Sequence, residues 1–234
     1  MTALSGEWDI IEINEEKLTV DDGKKNPTLV FNVTEGKISG FSGCNRMMGT
    51  FETGTPDGVI NISSIATTRM SCPDMSVEQN IVSTLSMVKG YKAKSNDRIA
   101  LRNADDRTVM MLSKRIPDIT LEELNGSWHI TEVEGETVPK DMENQPFIVF
   151  NIAEGTIHGN AGCNIFNGSY TTDSISQSSI MFPGTITTMM SCPDLEMERH
   201  IMEALNSVSS FDKAKNGVVM YNQSGEQILK LTKK

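Results

Sequence analysis

The sequence predicts an α+β protein built from two tandem copies of one small domain, each a curled, barrel-like antiparallel sheet with a single helix. Three observations predict it. The chain repeats itself: Phe31 to Asn45 returns as Phe150 to Asn164 with 9 of 15 positions identical, and Thr67 to Asp74 returns as Thr187 to Asp194 with one change in eight. The offset is 119 in the first block and 120 in the second, far beyond the roughly 20–50 residues of a solenoid repeat. Short strand-like runs are joined by tight turns, which suits antiparallel pairing because parallel strands need crossovers of about a dozen residues or more. Each copy also holds one amphipathic helix, late in its sequence.

The elements follow in order. Each copy opens on Leu-x-Gly-x-Trp, at Leu4 to Trp8 and Leu124 to Trp128. In the first strand, simple alternation puts Trp8, Ile10 and Glu12 on one face and Ile11 and Ile13 on the other. The tryptophans read as core anchors. A polar loop leads to a strand at 29–33, a tight turn at Glu35-Gly36 where glycine is free to take positive φ, and a return strand at 37–41. Residues 147–159 repeat this hairpin. Further strands are expected at 46–52 and 58–65, with Gly40, Gly43 and Gly49 marking bends or bulges. Pro73 and Pro193 suit a first helical turn, and Asp74 and Asp194 place negative charge at the positive end of the dipole. Ile81, Leu85 and Val88 fall at i, i+4, i+7, as do Ile201, Leu205 and Val208. Gly90 is expected to stop the first helix, and two short strands to close each copy. The domains are expected at 1–115 and 122–234, with 116–121 a short linker between units that touch or move only loosely.

Two copies of this size can each bury a core, and 38% hydrophobic with 22% charged residues is ordinary globular composition. No apolar run approaches the roughly 18 residues that cross a bilayer. No leader precedes Gly6 in this stretch, and a secreted chain stripped of its leader reads the same way. Charge is uneven: residues 1–117 carry 14 Lys/Arg and 15 Asp/Glu, residues 118–234 carry 7 and 16. The acidic second half repels phosphate backbones, so nucleic acid is not an expected partner. The bland reading of the acidity is solubility.

The four cysteines sit at matching places, Cys44 and Cys72 in one copy, Cys163 and Cys192 in the other. One disulfide per copy in an oxidising compartment fits this pattern. Buried reduced thiols would fit it too. A zinc site fits poorly, because each copy offers two thiols and all three histidines (His129, His158, His200) lie in the second copy.

Catalytic constellations are lacking: there is no phosphate-binding loop, dinucleotide glycine motif, nucleophile elbow or zinc-protease motif. The first copy has no histidine, which removes Cys–His and Ser–His chemistry there. His200 reads as a solvated helix residue. His158 stands where the first copy has Ser39, so a shared role cannot need it. Glu35 and Glu154 read as turn residues. One cluster carries a functional hypothesis: Asn45, Arg46, Thr67, Thr68 and Arg69. A disulfide would bring the two motif strands together, and Arg46 and Arg69 could then hold a carboxylate or phosphate. The duplication weighs against a shared site. Ile165 and Met189 replace the arginines in the second copy, while Asn, Thr, Thr and Cys stay. The kept set therefore reads as fold chemistry, and the arginines as either incidental or a first-copy specialty. The chain holds 15 methionines; those near the motifs (Met47, Met48, Met70, Met75, Met189, Met190) read as core filling rather than as an adaptable partner surface.

Gly-Cys-Asn-Arg at 43–46, then Ala-Thr-Thr-Arg-Met-Ser-Cys-Pro at 66–73, then a helix, resembles the META domain, the family of the bacterial heat-shock protein HslJ. Ile165 and Met189 are departures from that pattern. The resemblance implies an antiparallel, partly open barrel with one helix, no cofactor, no established enzymatic activity, and a place in the bacterial cell envelope with links to stress or drug resistance. A lipid anchor on the native precursor is compatible with it. The expectation is a monomeric, non-enzymatic envelope protein that binds a protein, a peptide or an apolar small molecule in the mouth of the sheet. The competing expectation is a purely structural, stress-protective module, and an enzyme is the weakest.

Overall fold

The computed structural model describes residues 2–20, 24–63, 65–116, 118–173, 176–191 and 195–234. The chain divides into two compact units, Met1–Ile116 and Pro117–Lys234.

The first unit contains β1 (Gly6–Ile13), β2 (Glu16–Lys17), β3 (Thr28–Asn32), β4 (Lys37–Phe41), β5 (Arg46–Gly54), β6 (Val59–Ile62), β7 (Ala66–Thr67), α1 (Ser76–Met87), β8 (Gly90–Ser95), β9 (Arg98–Arg102) and β10 (Thr108–Lys114). All pairings are antiparallel, and β10 pairs back onto β1, so the sheet runs round as a ring β1-β3-β4-β5-β6-β8-β9-β10. The second unit repeats it with β11 (Gly126–Val133), β12 (Glu136–Thr137), β13 (Phe147–Asn151), β14 (Thr156–Asn160), β15 (Ile165–Ser169), β16 (Ile186–Thr187), α2 (Leu195–Ser207), β17 (Ser210–Ala214), β18 (Gly217–Tyr221) and β19 (Gln227–Lys233). There, among the described residues, the isolated bridges Thr171–Met181 and Ser179–Ser210 join the chain after β15 to β17. The expected α+β fold of two curled antiparallel sheets with one helix each is thus the fold observed.

Four sequence expectations are corrected. Three strands follow each helix rather than two, because Gly90 and Ser210 begin strands of their own. Helix α1 already ends at Met87, so Gly90 does not stop it. The helix begins at Ser76, not at Pro73, since the chain just before it is tied to Asn45 and Cys44 and cannot coil until that tether ends. Pro193 and Asp194 lie outside the described residues. Finally, Ile13 lies on the core side with Trp8 and Ile10. A bulge between Ile10 and Glu12, repeated between Ile130 and Glu132, shifts the alternation by one residue.

Each interior is filled by side chains. In the first unit Trp8, Phe31, Ile38, Phe51 and Ile60 meet Ile81 and Leu85 of α1 and Val88 just past its end, the stripe the helical spacing predicts. In the second, Trp128, Phe150, Phe166 and Phe211 meet Ile201 and Leu205 of α2 and Val208 just past its end. Each indole also bonds locally: Trp8 Nε1 donates to Leu4 O at 2.9 Å and Trp128 Nε1 to Leu124 O at 2.7 Å. The hairpin turns need their glycines, with Gly36 at φ +63° and Gly155 at +68°. Arg115 is pinned within the first unit, its Nη1 donating to Asp9 Oδ1 at 2.6 Å. Ile119 is buried in the second core.

Gly40 and Gly159 are demanded by close approach. A Cβ on Gly40 would lie 2.0 Å from Thr28 O, and one on Gly159 2.1 Å from Phe147 O. Both contacts are backbone across a paired strand, so neither can yield cheaply. Gly40→Ala is expected to lower the first unit's stability by about 1–3 kcal/mol, the range of other overpacked sites. An unchanged urea midpoint would contradict this.

Candidate functional site

The motif residues meet where β5, the chain after β7 and the first turn of α1 converge. Cys44 is bonded to Cys72, with Cα atoms 6.1 Å apart. Asn45, 1% exposed, is the hub. Its Oδ1 accepts from Thr68 Oγ1 at 2.7 Å and Met70 N at 2.8 Å, and its Nδ2 donates to Met70 O at 3.1 Å. The asparagine amide thereby imitates a strand and holds residue 70 in register with β5. Thr68 completes the seam, its N–H donating to Arg46 O at 3.0 Å and its hydroxyl oxygen accepting from Arg46 N at 3.2 Å.

Beneath lies Glu78, a residue the motif reading missed. It is buried in the first turn of α1. Glu78 Oε2 accepts from Asn45 N at 2.9 Å, and Oε1 accepts from Asn45 Nδ2 at 3.1 Å. The Ser42 hydroxyl sits 2.8 Å from Glu78 Oε2 and 2.8 Å from Asn45 O, sharing one proton between them. A signal existed. Glu78 lies three residues before Ile81, on the apolar stripe of the helix, and Glu198 lies three before Ile201. A charged residue on the buried face, kept in both copies, calls for buried partners.

The second unit rebuilds this arrangement. Asn164 Oδ1 accepts from Thr188 Oγ1 and Met190 N, both at 2.7 Å. Glu198 accepts from Asn164 N at 2.7 Å, Asn164 Nδ2 at 2.7 Å and Cys163 N at 3.2 Å. Cys163 is disulfide-bonded; its expected partner Cys192 lies outside the described residues.

Of the predicted cluster, Asn45 and Thr68 are therefore joined in a structural clamp. Thr67 and the side chains of Arg46 and Arg69 are not. Thr67 pairs with Met47 and lines an outer groove. Arg46 is half-buried and Arg69 exposed, and neither guanidinium has a partner among the described residues. In the second unit their places hold Ile165, 51% exposed, and Met189, 97% exposed. The methionine expectation fails for most of the group: Met47 is buried, but Met48, Met70, Met189 and Met190 are exposed, because they sit on outward positions or beyond the strand ends. Among the described residues no cluster of His, Cys, Asp and Glu could hold a metal ion.

Asp74 anchors the start of α1 from outside it, Oδ1 accepting from Ser76 N at 2.8 Å. That hydrogen bond holds its carboxyl below the usual carboxylate value. A lowered folded pKa means this contribution is present above the unfolded value of about 3.9 and fades as pH falls through the folded one. NMR titration of Asp74 should give a midpoint below about 3.9, returning toward it in Ser76→Pro, which removes the donor while keeping a favoured first-turn residue. Equal midpoints in the two proteins would refute this.

No curated protein matches the chain. Solved structures resemble about half of it. A DUF4847 family protein from Bacteroides vulgatus is 17% identical over 49% of this chain and 96% of its own, with a TM-score of 0.37. A protein from Burkholderia xenovorans is 20% identical over 49% of this chain and 85% of its own, with a TM-score of 0.39. Among the described residues, no helix is long and apolar enough to cross a membrane. The META domain profile matches residues 2–116 and again 120–234, so this chain, with its motif clamp built twice, belongs to the META domain family as a tandem pair.

Proposed function

We propose that the protein is a non-enzymatic, extracytoplasmic module of the bacterial envelope, recognising a protein or peptide through the outer rim of its META units. The observation that carries this reading is what the duplication keeps and what it changes. The Asn–Thr–Glu clamp is kept, and its polar groups bond to one another, leaving no reactive group poised for substrate. The rim changes from Arg46 and Arg69 to Ile165 and Met189, as surfaces do when partners differ. An apolar small molecule inside the sheet loses support, since both interiors are occupied by side chains. Those filled interiors also suit the second reading, a structural, stress-protective module without a ligand.

The disulfides support the extracytoplasmic placement. Alkylation of unreduced, denatured protein from its own host, followed by intact mass and peptide mapping, tests it. No free thiol, with Cys44–Cys72 and Cys163–Cys192 pairs, is the expected result. Four free thiols would remove the envelope placement and reopen a cytoplasmic role.

A further inference from the structure

We propose that the first unit binds an extended, carboxylate-bearing peptide along the free edge of β7, in the groove between that strand and α1. The proposal rests on the surface-recognition reading above and names its site and ligand class.

Among the described residues, strand β7 pairs with β5 alone. Thr68 N–H donates to Arg46 O, so Arg46 and Thr68 form a hydrogen-bonded pair, and the adjacent pair Met47–Thr67 does not. The N–H and C=O of Thr67 therefore point away from β5. Thr67 also lines a groove of about 390 Å³, together with Gln79, Val82, Ser83 and Ser86 of α1. This falls within the usual size range of ligand sites. The four α1 residues sit at i, i+3, i+4 and i+7, a single helix face about 10 Å long. That is the length of about three extended residues. A strand edge facing a helix across a groove is the geometry in which a peptide adds as one more strand.

The second unit places longer side chains at the same positions, Arg199, Met202, Glu203 and Asn206. Arg199 and Glu203 pair across that face at 2.8 Å. The small serines of α1 are thus particular to the first unit.

Charge selects the ligand class. Arg46 stands opposite Thr68, and Arg69 follows it, both guanidiniums lacking partners among the described residues. Glu78 also lines the groove, but its carboxyl oxygens are engaged by Asn45 and Ser42. An extended chain on β7 would therefore meet two unpaired cations at the strand's end, suited to a carboxylate through paired N–H donors. The competing explanation is that the arginines only guard an exposed strand edge against self-association.

The test is an NMR titration of the full chain with the peptide acetyl-Val-Thr-Val-Thr-Val-Asp, free at its C-terminus, against acetyl-Val-Thr-Val-Thr-Val-Asn-amide. Raising each to about 5 mM reveals even millimolar affinity. The acidic peptide is expected to shift amides at 66–69 and 79–86, and the amidated peptide to bind at least about tenfold more weakly, a change of about 1.4 kcal/mol. R46A/R69A should weaken the acidic peptide about tenfold or more, with unchanged circular dichroism. Ser83→Trp, which fills the groove from a solvent-facing helix position, should abolish the shifts. The proposal is overturned if neither peptide binds, if both bind equally, or if R46A/R69A keeps its affinity and instead self-associates in sedimentation velocity. Shifts at 165 and 186–190 alone would sink this site yet leave recognition through the rim standing.

Discussion

Glu78→Ala is expected to lower the stability of the first unit by about 3–4 kcal/mol. The substitution strands the Asn45 backbone N–H and one Asn45 amide N–H, in a residue 1% exposed. Each buried donor left without a partner costs about 1–3 kcal/mol. Ser42 escapes, because its hydroxyl can turn wholly to Asn45 O at 2.8 Å. Glu198→Ala should cost the second unit at least as much, since three N–H groups, from Cys163, Asn164 and the Asn164 amide, lose their acceptor there. Each unit holds one tryptophan, Trp8 or Trp128, so urea unfolding in single-tryptophan backgrounds reports the two units separately. If the Trp8 transition of Glu78→Ala stays at the wild-type midpoint, the buried clamp does not stabilise the fold as described.

Loss of the Cys44–Cys72 bond, by C44A/C72A, is expected to cost the first unit about 3–4 kcal/mol. The bond closes a span of 28 residues, and loop-closure entropy in the unfolded chain sets that magnitude. The bond is also adjacent to Asn45, so the two perturbations share a site. Combining C44A/C72A with Glu78→Ala should therefore depart from the sum of the single effects by more than about 0.5 kcal/mol. Strict additivity would mean that the covalent and hydrogen-bonded halves of the clamp act independently. A unit already lowered by either change is expected to show the loss in its own transition, while the other unit's midpoint holds.

The rim and the clamp were legible to different degrees. The duplication alone separated Asn45, Thr67 and Thr68 from Arg46 and Arg69, because a residue kept through divergence in both copies serves what both copies share, the fold; Thr67 serves it by pairing with Met47, outside the clamp. Glu78 belongs to no motif, and its spacing to Ile81 marks only a charged residue on the apolar stripe of the helix. Its role depends on a carboxyl meeting an asparagine 33 residues away, and no local pattern records such a meeting. The exposure of Met70, Met189 and Met190 is hidden from the sequence for a related reason. Methionine is apolar in any sequence, but these three lie past the ends of β7 and β16, where the chain leaves the sheet.

The sequence by itself determined the two-copy architecture, the antiparallel pairing, the hairpin turns at Gly36 and Gly155, and the buried stripe of each helix. These follow from short-range chemistry: periodicity, turn propensity and the steric freedom of glycine act within a few residues. Tertiary structure alone decided the closure of β10 onto β1, the bulge that returns Ile13 to the core, the late start of α1, and the groove beside β7. Each depends on backbone groups far apart in the chain satisfying one another's hydrogen bonds, and a buried N–H or C=O can be paired only by what the whole fold brings within its reach.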